Sequence, residues 1–365
     1  MQRIPMAKPS MDDEMVNAAV AALRNERMVM GESVFKFEEE FARYIGVKHA
    51  IAVASGTEAL HLSMIAVGAS GSDVLTTPFS FIATANCVVQ AGGRPIFADI
   101  RDSDYNIDPS LAAKAMTKNT RAILPVHLFG HPADLEPLME AAEMTGSKLV
   151  EDAAQAHGAE YRGRKVGSIG HIGCFSFYPT KNMTVAGDGG MVTTNDDDLA
   201  KAISKLRDCG RVSRYLHDVV GFTARLNTVN AAIGRVQLKH LDSWNDRRRR
   251  IAALYERRLR DIPEIRLPPM GDVSMIPVFH LYVIRSSRRD EIAECLAKAG
   301  VDTAVHYPVP IHLQPVYQNM YHFREGGYPR SERAAREVLS LPVYPTLSDQ
   351  EVDHICETIR GFFGR

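Results

Sequence analysis

A lysine stands at position 181 in the stretch FSFYPTKNMTVAGDGG, directly after an apolar and aromatic run that reads as the end of a buried strand. Lysine is among the residues least often fully buried. Its position at a strand exit, ahead of a glycine-rich turn that leaves room for something else, points to chemistry at the amine. Three other segments hold groups that could work with it. In VEDAAQAHG, Asp152 stands at the C-terminal end of a strand, outside which ligands of open α/β sheets bind. A carboxylate there is poorly solvated unless a cation meets it, although a lone aspartate also caps helices. In SGTEAL, Gly56 and Thr57 follow a strand and open a helix. That suits either a plain cap by Ser55 or an anion site made of backbone N–H groups and the positive end of the helix. In TTPFSFIATAN, Phe81 offers a flat aromatic face after another strand end.

An amine, a carboxylate, an anion cradle and an aromatic plate are together what pyridoxal phosphate requires. The lysine attaches the cofactor, the carboxylate keeps the pyridine nitrogen protonated, the ring stacks on the aromatic face and the phosphate takes the helix N-terminus. Competing motifs are weaker. GSIGHIG, from Gly167 to Gly173, looks like a dinucleotide fingerprint, but it runs on into the strand CFSFY and not into a helix. There is no P-loop and no HExxH zinc motif, and no metal is expected. His157 reads as a packed or hydrogen-bonded histidine.

The elements that must position these groups alternate. HAIAVA, DVLTTP, RPIFADI, RAILPVHLFG and SKLVEDAA read as strands, separated by helical patterns such as TEALHLSMIAVGA and DLEPLMEAAEMTG. Such alternation predicts a mainly parallel sheet covered on both faces. Near Leu241 the pattern changes. Ile251, Leu254, Tyr255 and Leu259 share one helical face, then come proline-rich segments, the strand HLYVIRS, the helix RDEIAECLAKAG and a last helix from about Asp349. The expected organisation is a large α/β domain over residues 1–245, including the N-terminal helix, and a linking helix with a small α+β domain over 246–365. The run Arg247–Arg250 reads as a solvated helix face rather than a nucleic-acid patch.

Bulk composition excludes several classes. Of 365 residues 45% are hydrophobic and 24% charged, and 43 basic against 44 acidic residues give a net charge of -1. This balance supplies no electrostatic reason for a nucleic-acid or membrane partner. No apolar run is long enough to span a membrane, no secretory signal is visible, and five scattered cysteines form neither a disulfide framework nor a zinc spacing. A cytoplasmic location is the expectation.

SGTEAL, VEDAAQAHGA, GCFSFYPTKN, GDGGMVTTND and GFTARLNTVNAAIGRVQLKHL, in this order and at these spacings, resemble the DegT/StrS family of sugar-nucleotide aminotransferases over nearly the whole chain. The resemblance implies the fold of aspartate aminotransferase (pyridoxal-phosphate fold type I), pyridoxal phosphate as cofactor with a pyridoxamine phosphate form during turnover, and a homodimer. It makes Lys181 the lysine that binds the cofactor and Asp152 the partner of the pyridine nitrogen. Phe81 then stacks on the ring, Gln155 lies near its phenolic oxygen, and Gly56, Thr57 and Ser176 hold the phosphate. The sequence departs from the family pattern at TAR, where Thr223 replaces an asparagine that in many members reaches the neighbouring subunit's phosphate. Arg225 is expected to enter the partner's site. His306 and Tyr307, in AVHYPVP, either line the sugar site or pack the domain junction. The implied reaction is ping-pong amino transfer, from an amino acid that by family habit is glutamate, to a nucleotide-linked keto-sugar. AGVDTAVHYPVPIHLQP, and GDGG in place of GEGG, resemble members that aminate carbon 3; carbon 4 is the alternative. Family members that dehydrate sugars carry histidine in place of the lysine, and a non-catalytic regulator would be expected to lose Lys181 or Asp152. Neither is lost.

Overall fold

The computed structural model describes residues 3–365. Seven strands form the central sheet: β1 (His49–Val53), β2 (Asp73–Thr76), β3 (Arg94–Phe97), β4 (Thr120–Ile123), β5 (Lys148–Asp152), β6 (Ile172–Ser176) and β7 (Gly190–Thr194). Their order is β1-β7-β6-β5-β4-β2-β3. β6, β5, β4, β2 and β3 pair in parallel, and β7 runs against both of its neighbours. The sheet expected from the strand–helix alternation is therefore present, with one reversed strand. Every residue of β6 and β7 is buried, as a strand covered on both faces requires.

Two apolar layers cover the sheet. On one side α2 (Glu32–Ile45) sends Phe37 and Phe41 onto Phe177 and Phe175, at ring-centroid distances of 5.3 and 5.0 Å. On the other, α3 (Gly56–Ala66) packs Leu60, Leu62 and Met64 with Cys174 and Ile203. Cys174 and Phe175 are sequence neighbours facing opposite layers, as the two-residue period of a strand dictates. The helix α1 (Asp13–Asn25), capped by Asp12, lies along α4 (Thr228–Leu259).

The interface pattern NTVNAAIGRVQL and the linking pattern beyond Leu241 are one helix. α4 is capped by Asn227, whose side chain accepts from Asn230 N at 2.9 Å, and runs unbroken for 32 residues. Leu241 packs into the core of the sheet, whereas Ile251, Tyr255 and Leu259 pack into a second core. The sequence boundary at 245 thus falls inside a continuous helix. The second core holds the antiparallel pair β8 (Tyr282–Arg285) and β9 (Val338–Leu341), the helix Arg289–Lys298 and α5 (Asp349–Phe362). Ile4, from the opposite end of the chain, belongs to it too. Within the arginine run the expectation of a solvated face needs correction. Arg248 is buried, and one guanidinium nitrogen donates to the carbonyls of Phe279, His280 and Val343 at 2.7–3.3 Å. At 100° per residue one of four consecutive side chains must point inward, and here it clips the second core to α4.

Candidate active site

The site is assembled at the C-terminal ends of β5 and β6. Asp152 is the last residue of β5 and Ser176 the last of β6, and the strands pair in register at Asp152 and Cys174. Lys181 follows in a turn closed by its own N–H donating to Tyr178 O at 2.8 Å. Its side chain is half-buried. Burial pulls its amine down to about 8, against the opposing pull of the Asp152 carboxylate.

Asp152 is buried, and burial raises its carboxyl above the ordinary aspartate value. Thr84, the Ala154 N–H and Lys181 act in the opposite direction. Oδ2 accepts from Thr84 Oγ1 at 2.9 Å and Oδ1 from Ala154 N at 3.2 Å. No ion pair within direct contact reaches it among the described residues. A buried carboxylate without a contacting cation is costly, and a protonated ring nitrogen would relieve it.

The SGT turn meets the same strand ends. Ser55 caps α3, its side chain accepting from Glu58 N at 3.1 Å, while the N–H groups of Gly56 and Thr57 have no partner among the described residues. The cap is therefore made by the Ser55 side chain, and two further N–H groups at the start of the helix are left over for an anion site. Glycine is required at two places here. A Cβ on Gly56 would lie 2.5 Å from Ser176 Cβ, and one on Gly190 would run into the Ser55 carbonyl.

Phe81 leaves 54% of its surface exposed although it sits among buried neighbours. Its ring is 6.1 Å from that of Tyr307. Tyr307 Oη accepts from Gln155 Nε2 at 3.0 Å, and Gln155 Oε1 accepts from Phe129 N at 2.7 Å. His306 bonds Ser340 Oγ through Nδ1 at 2.9 Å, and burial together with the Lys181 charge lowers it to about 4. Tyr307 is thus drawn to Phe81 and Gln155, and His306 lies within the field of Lys181.

Thr223 and Arg225 lie on a segment that runs beside the residues leading into the SGT turn. Thr223 is exposed and Arg225 half-buried, in a segment that pairs with Val53 at the end of β1, and Arg225 is ion-paired to Asp208 of the same chain.

Ser80, Thr84 and His280 were missed, while His157 and GSIGHIG were singled out. Thr84 and Ser80 stand on the turn that carries Phe81, and spacing of three residues from Phe81 to Thr84 was the available signal. His157 and His280 are buried near Lys181 and held neutral by burial, His157 at about 3. The His157 ring packs against Phe175 and Phe177, so its reading as a packed histidine fits. The glycine motif GSIGHIG also has a role. Glu151 accepts from Gly167, Ile169 and Gly170 N–H at 2.7–2.9 Å, so the loop wraps a carboxylate of its own chain instead of a dinucleotide. Glu151 also accepts from His127 Nε2 at 3.0 Å. That nitrogen carries the proton because Nδ1 accepts from Ala133 N. Burial pushes the Glu151 carboxyl up, but these donors outweigh it and hold it low.

These residues fit pyridoxal phosphate. The buried carboxylate lacks a contacting cation, two helix N–H groups stand free beside Ser176, an aromatic face is open, and an amine is held near neutrality. Among the described residues no group of His, Cys, Asp and Glu could hold a metal ion, and no helix is long and apolar enough to cross a membrane.

Comparison with known proteins agrees. A model of the DegT/DnrJ/EryC1/StrS aminotransferase family matches residues 9–360. The chain is 42% identical over 351 residues to the dTDP-3-amino-3,4,6-trideoxy-alpha-D-glucose transaminase of Streptomyces venezuelae, covering 96% of this chain and 92% of the relative. It is 40% identical over 352 residues to a pleiotropic regulatory protein of Geobacillus stearothermophilus, covering 96% and 94%. The crystal structure of S. venezuelae DesV in complex with a ketimine intermediate superposes with a TM-score of 0.96 at 40% identity, covering 100% of both chains. The family match takes in nearly every residue that builds the site, and the chain belongs to the DegT/DnrJ/EryC1/StrS aminotransferase family.

Proposed function

We propose that this protein is a pyridoxal-phosphate-dependent aminotransferase that moves an amino group from glutamate to carbon 3 of a nucleotide-linked keto-sugar. The observation that carries the reading is a half-buried amine, lowered to about 8, that feels but does not contact the buried carboxylate of Asp152. When bound, the cofactor supplies a carbonyl that accepts the amino group and a ring that draws electrons from the reacting carbon. Lys181 Nζ attaches it between turnovers and, once released, takes and returns the proton at the substrate carbon. An amine with a pKa near 8 suits both steps at neutral pH. Asp152 holds the proton on the ring nitrogen. Gly56, Thr57 and Ser176 bind the phosphate, Phe81 covers one ring face, and Gln155 sits toward the phenolic oxygen. Tyr307 and His306 line the sugar side, His306 as a neutral group.

The choice of carbon 3 is supported by the TAVHYPVP and GDGG segments and by the name of the S. venezuelae relative. The protein acts as a homodimer with shared sites. Support comes from the apolar side chains that α1 and the loop after it expose (Val16, Val20, Leu23, Val29) and from Val212, Leu216 and Val220 in the loop that precedes Thr223. The test is a panel of nucleotide-linked 3-keto and 4-keto sugars with glutamate as donor. Amino-sugar formation should be detectable with a 3-keto substrate and much weaker with 4-keto analogues. Faster turnover of a 4-keto sugar overturns the carbon-3 reading, and no turnover of any, with glutamate leaving the cofactor spectrum unchanged, favours a regulatory role like that named for the G. stearothermophilus relative.

A further inference from the structure

We infer that Thr84, itself oriented by Ser80, is a positioning residue that holds the Asp152 carboxylate ionised and aimed at the cofactor's ring nitrogen. This rests on the reading of Asp152 as the partner of that nitrogen. Thr84 Oγ1 lies 2.9 Å from Asp152 Oδ2. The carboxylate can only accept, so the single threonine hydroxyl proton points at it. Ser80 Oγ lies 2.9 Å from Thr84 Oγ1 on the other side. With the Thr84 proton already committed, Ser80 must be the donor there, and the chain of donation runs Ser80 to Thr84 to Asp152. Both hydroxyls are buried, at 4% and 1% exposure for Ser80 and Thr84, so water does not substitute for either.

The geometry of the turn adds a second link. Thr84 N donates to Phe81 O at 3.1 Å, so one turn of chain fixes both the aromatic face and the donor to the carboxylate. The face under the cofactor ring and the group at its edge are set together. Burial favours the neutral acid at Asp152, and Thr84 and the Ala154 N–H are the two direct donors that oppose it. Without the threonine hydroxyl, the proton shared between Asp152 and the ring nitrogen shifts toward Asp152, and the ring draws electrons less strongly.

The test compares how strongly the cofactor-free full chain prefers pyridoxal phosphate over an analogue with carbon in place of the ring nitrogen, measured by competition. The ratio isolates the ring-nitrogen contact, because the phosphate, stacking and covalent contributions are common to both ligands. Thr84→Val removes the hydroxyl and keeps the shape. It should lower the ratio about tenfold, the size expected for one hydrogen bond to a charged group, and Thr84→Ser should restore most of it. Loss of affinity for both ligands alike would mean a merely structural role and overturns the inference. So does an unchanged ratio in Thr84→Val when Asp152→Asn collapses it, an outcome that leaves the role of Asp152 standing. An unchanged ratio in Asp152→Asn overturns the reading of Asp152 itself. Should Thr84→Val not fold, Ser80→Ala provides the same comparison. A smaller fall is expected there, and no fall contradicts the relay.

Discussion

At Lys181 two environmental effects oppose each other. Burial removes water from the ammonium and favours the neutral amine, while the Asp152 carboxylate favours the cation; burial wins and leaves the group at about 8. The unfolded chain holds this proton up to about 10.5, the ordinary value. Below pH 8 both states are protonated and the folded chain bears the full cost of a desolvated charge. Between about 8 and 10.5 the unfolded chain binds more protons than the folded one, so stability rises with pH through that window. In the cofactor-free protein, Lys181→Met should therefore be more stable than wild type at pH 7, with the gap closing as pH rises toward 10. Denaturant unfolding of the two proteins across that range is the measurement. A gap that is absent at pH 7 or insensitive to pH means that the amine is solvated. The same balance suits catalysis, since an amine near 8 is ready both to attach a carbonyl and to exchange a proton.

At the scale of elements, the proposed phosphate end of the site depends on how closely α3 approaches β6. Gly56 permits that approach, and Gly56→Ala places a Cβ 2.5 Å from Ser176 Cβ. Helix and strand must part by roughly an ångström, which moves the free N–H groups of residues 56 and 57 off a bound anion. Affinity for pyridoxal phosphate, titrated into cofactor-free protein, should fall at least about tenfold, with hydrogen bonds to a charged phosphate weakened. Unaltered affinity would mean that the phosphate binds elsewhere. The sequence made the geometry of this turn readable because glycine, a hydroxyl cap and a strand exit each leave a local signature. The strands and most helices were readable for the same reason, through period and punctuation. What local pattern did not reveal depends on distant partners. Arg248 looks like any surface arginine until the segments just before β8 and just after β9 close over it, and GSIGHIG acquires its role only when β5 places Glu151 beneath it. Thr84 was hidden because its bond to Asp152 joins residues 68 positions apart. The continuity of α4 was missed because its buried face passes from one core to the other along its length.

For the whole molecule, the proposed homodimer makes a claim about which chain completes each site. Within one chain Arg225 is engaged by Asp208, and its segment lies beside the end of β1 next to the SGT turn. If that segment serves the partner's site, two inactive variants, Lys181→Ala and Arg225→Ala, complement each other when mixed and allowed to exchange subunits. In a mixed dimer one site would carry both defects and the other neither. Activity should return to about a quarter of wild type for random pairing in an isologous dimer. No recovery despite demonstrated exchange would confine Arg225 to its own chain. All of this presupposes that amino transfer runs through Lys181, and the most direct measurement is the absorption spectrum and turnover of Lys181→Ala beside wild type, both loaded with pyridoxal phosphate and given glutamate and a nucleotide-linked keto-sugar. Wild type should show an absorption band near the visible edge that glutamate discharges, and should form the amino-sugar; the variant should lack the band and form none. A Lys181→Ala protein that keeps most of its turnover would contradict the assignment.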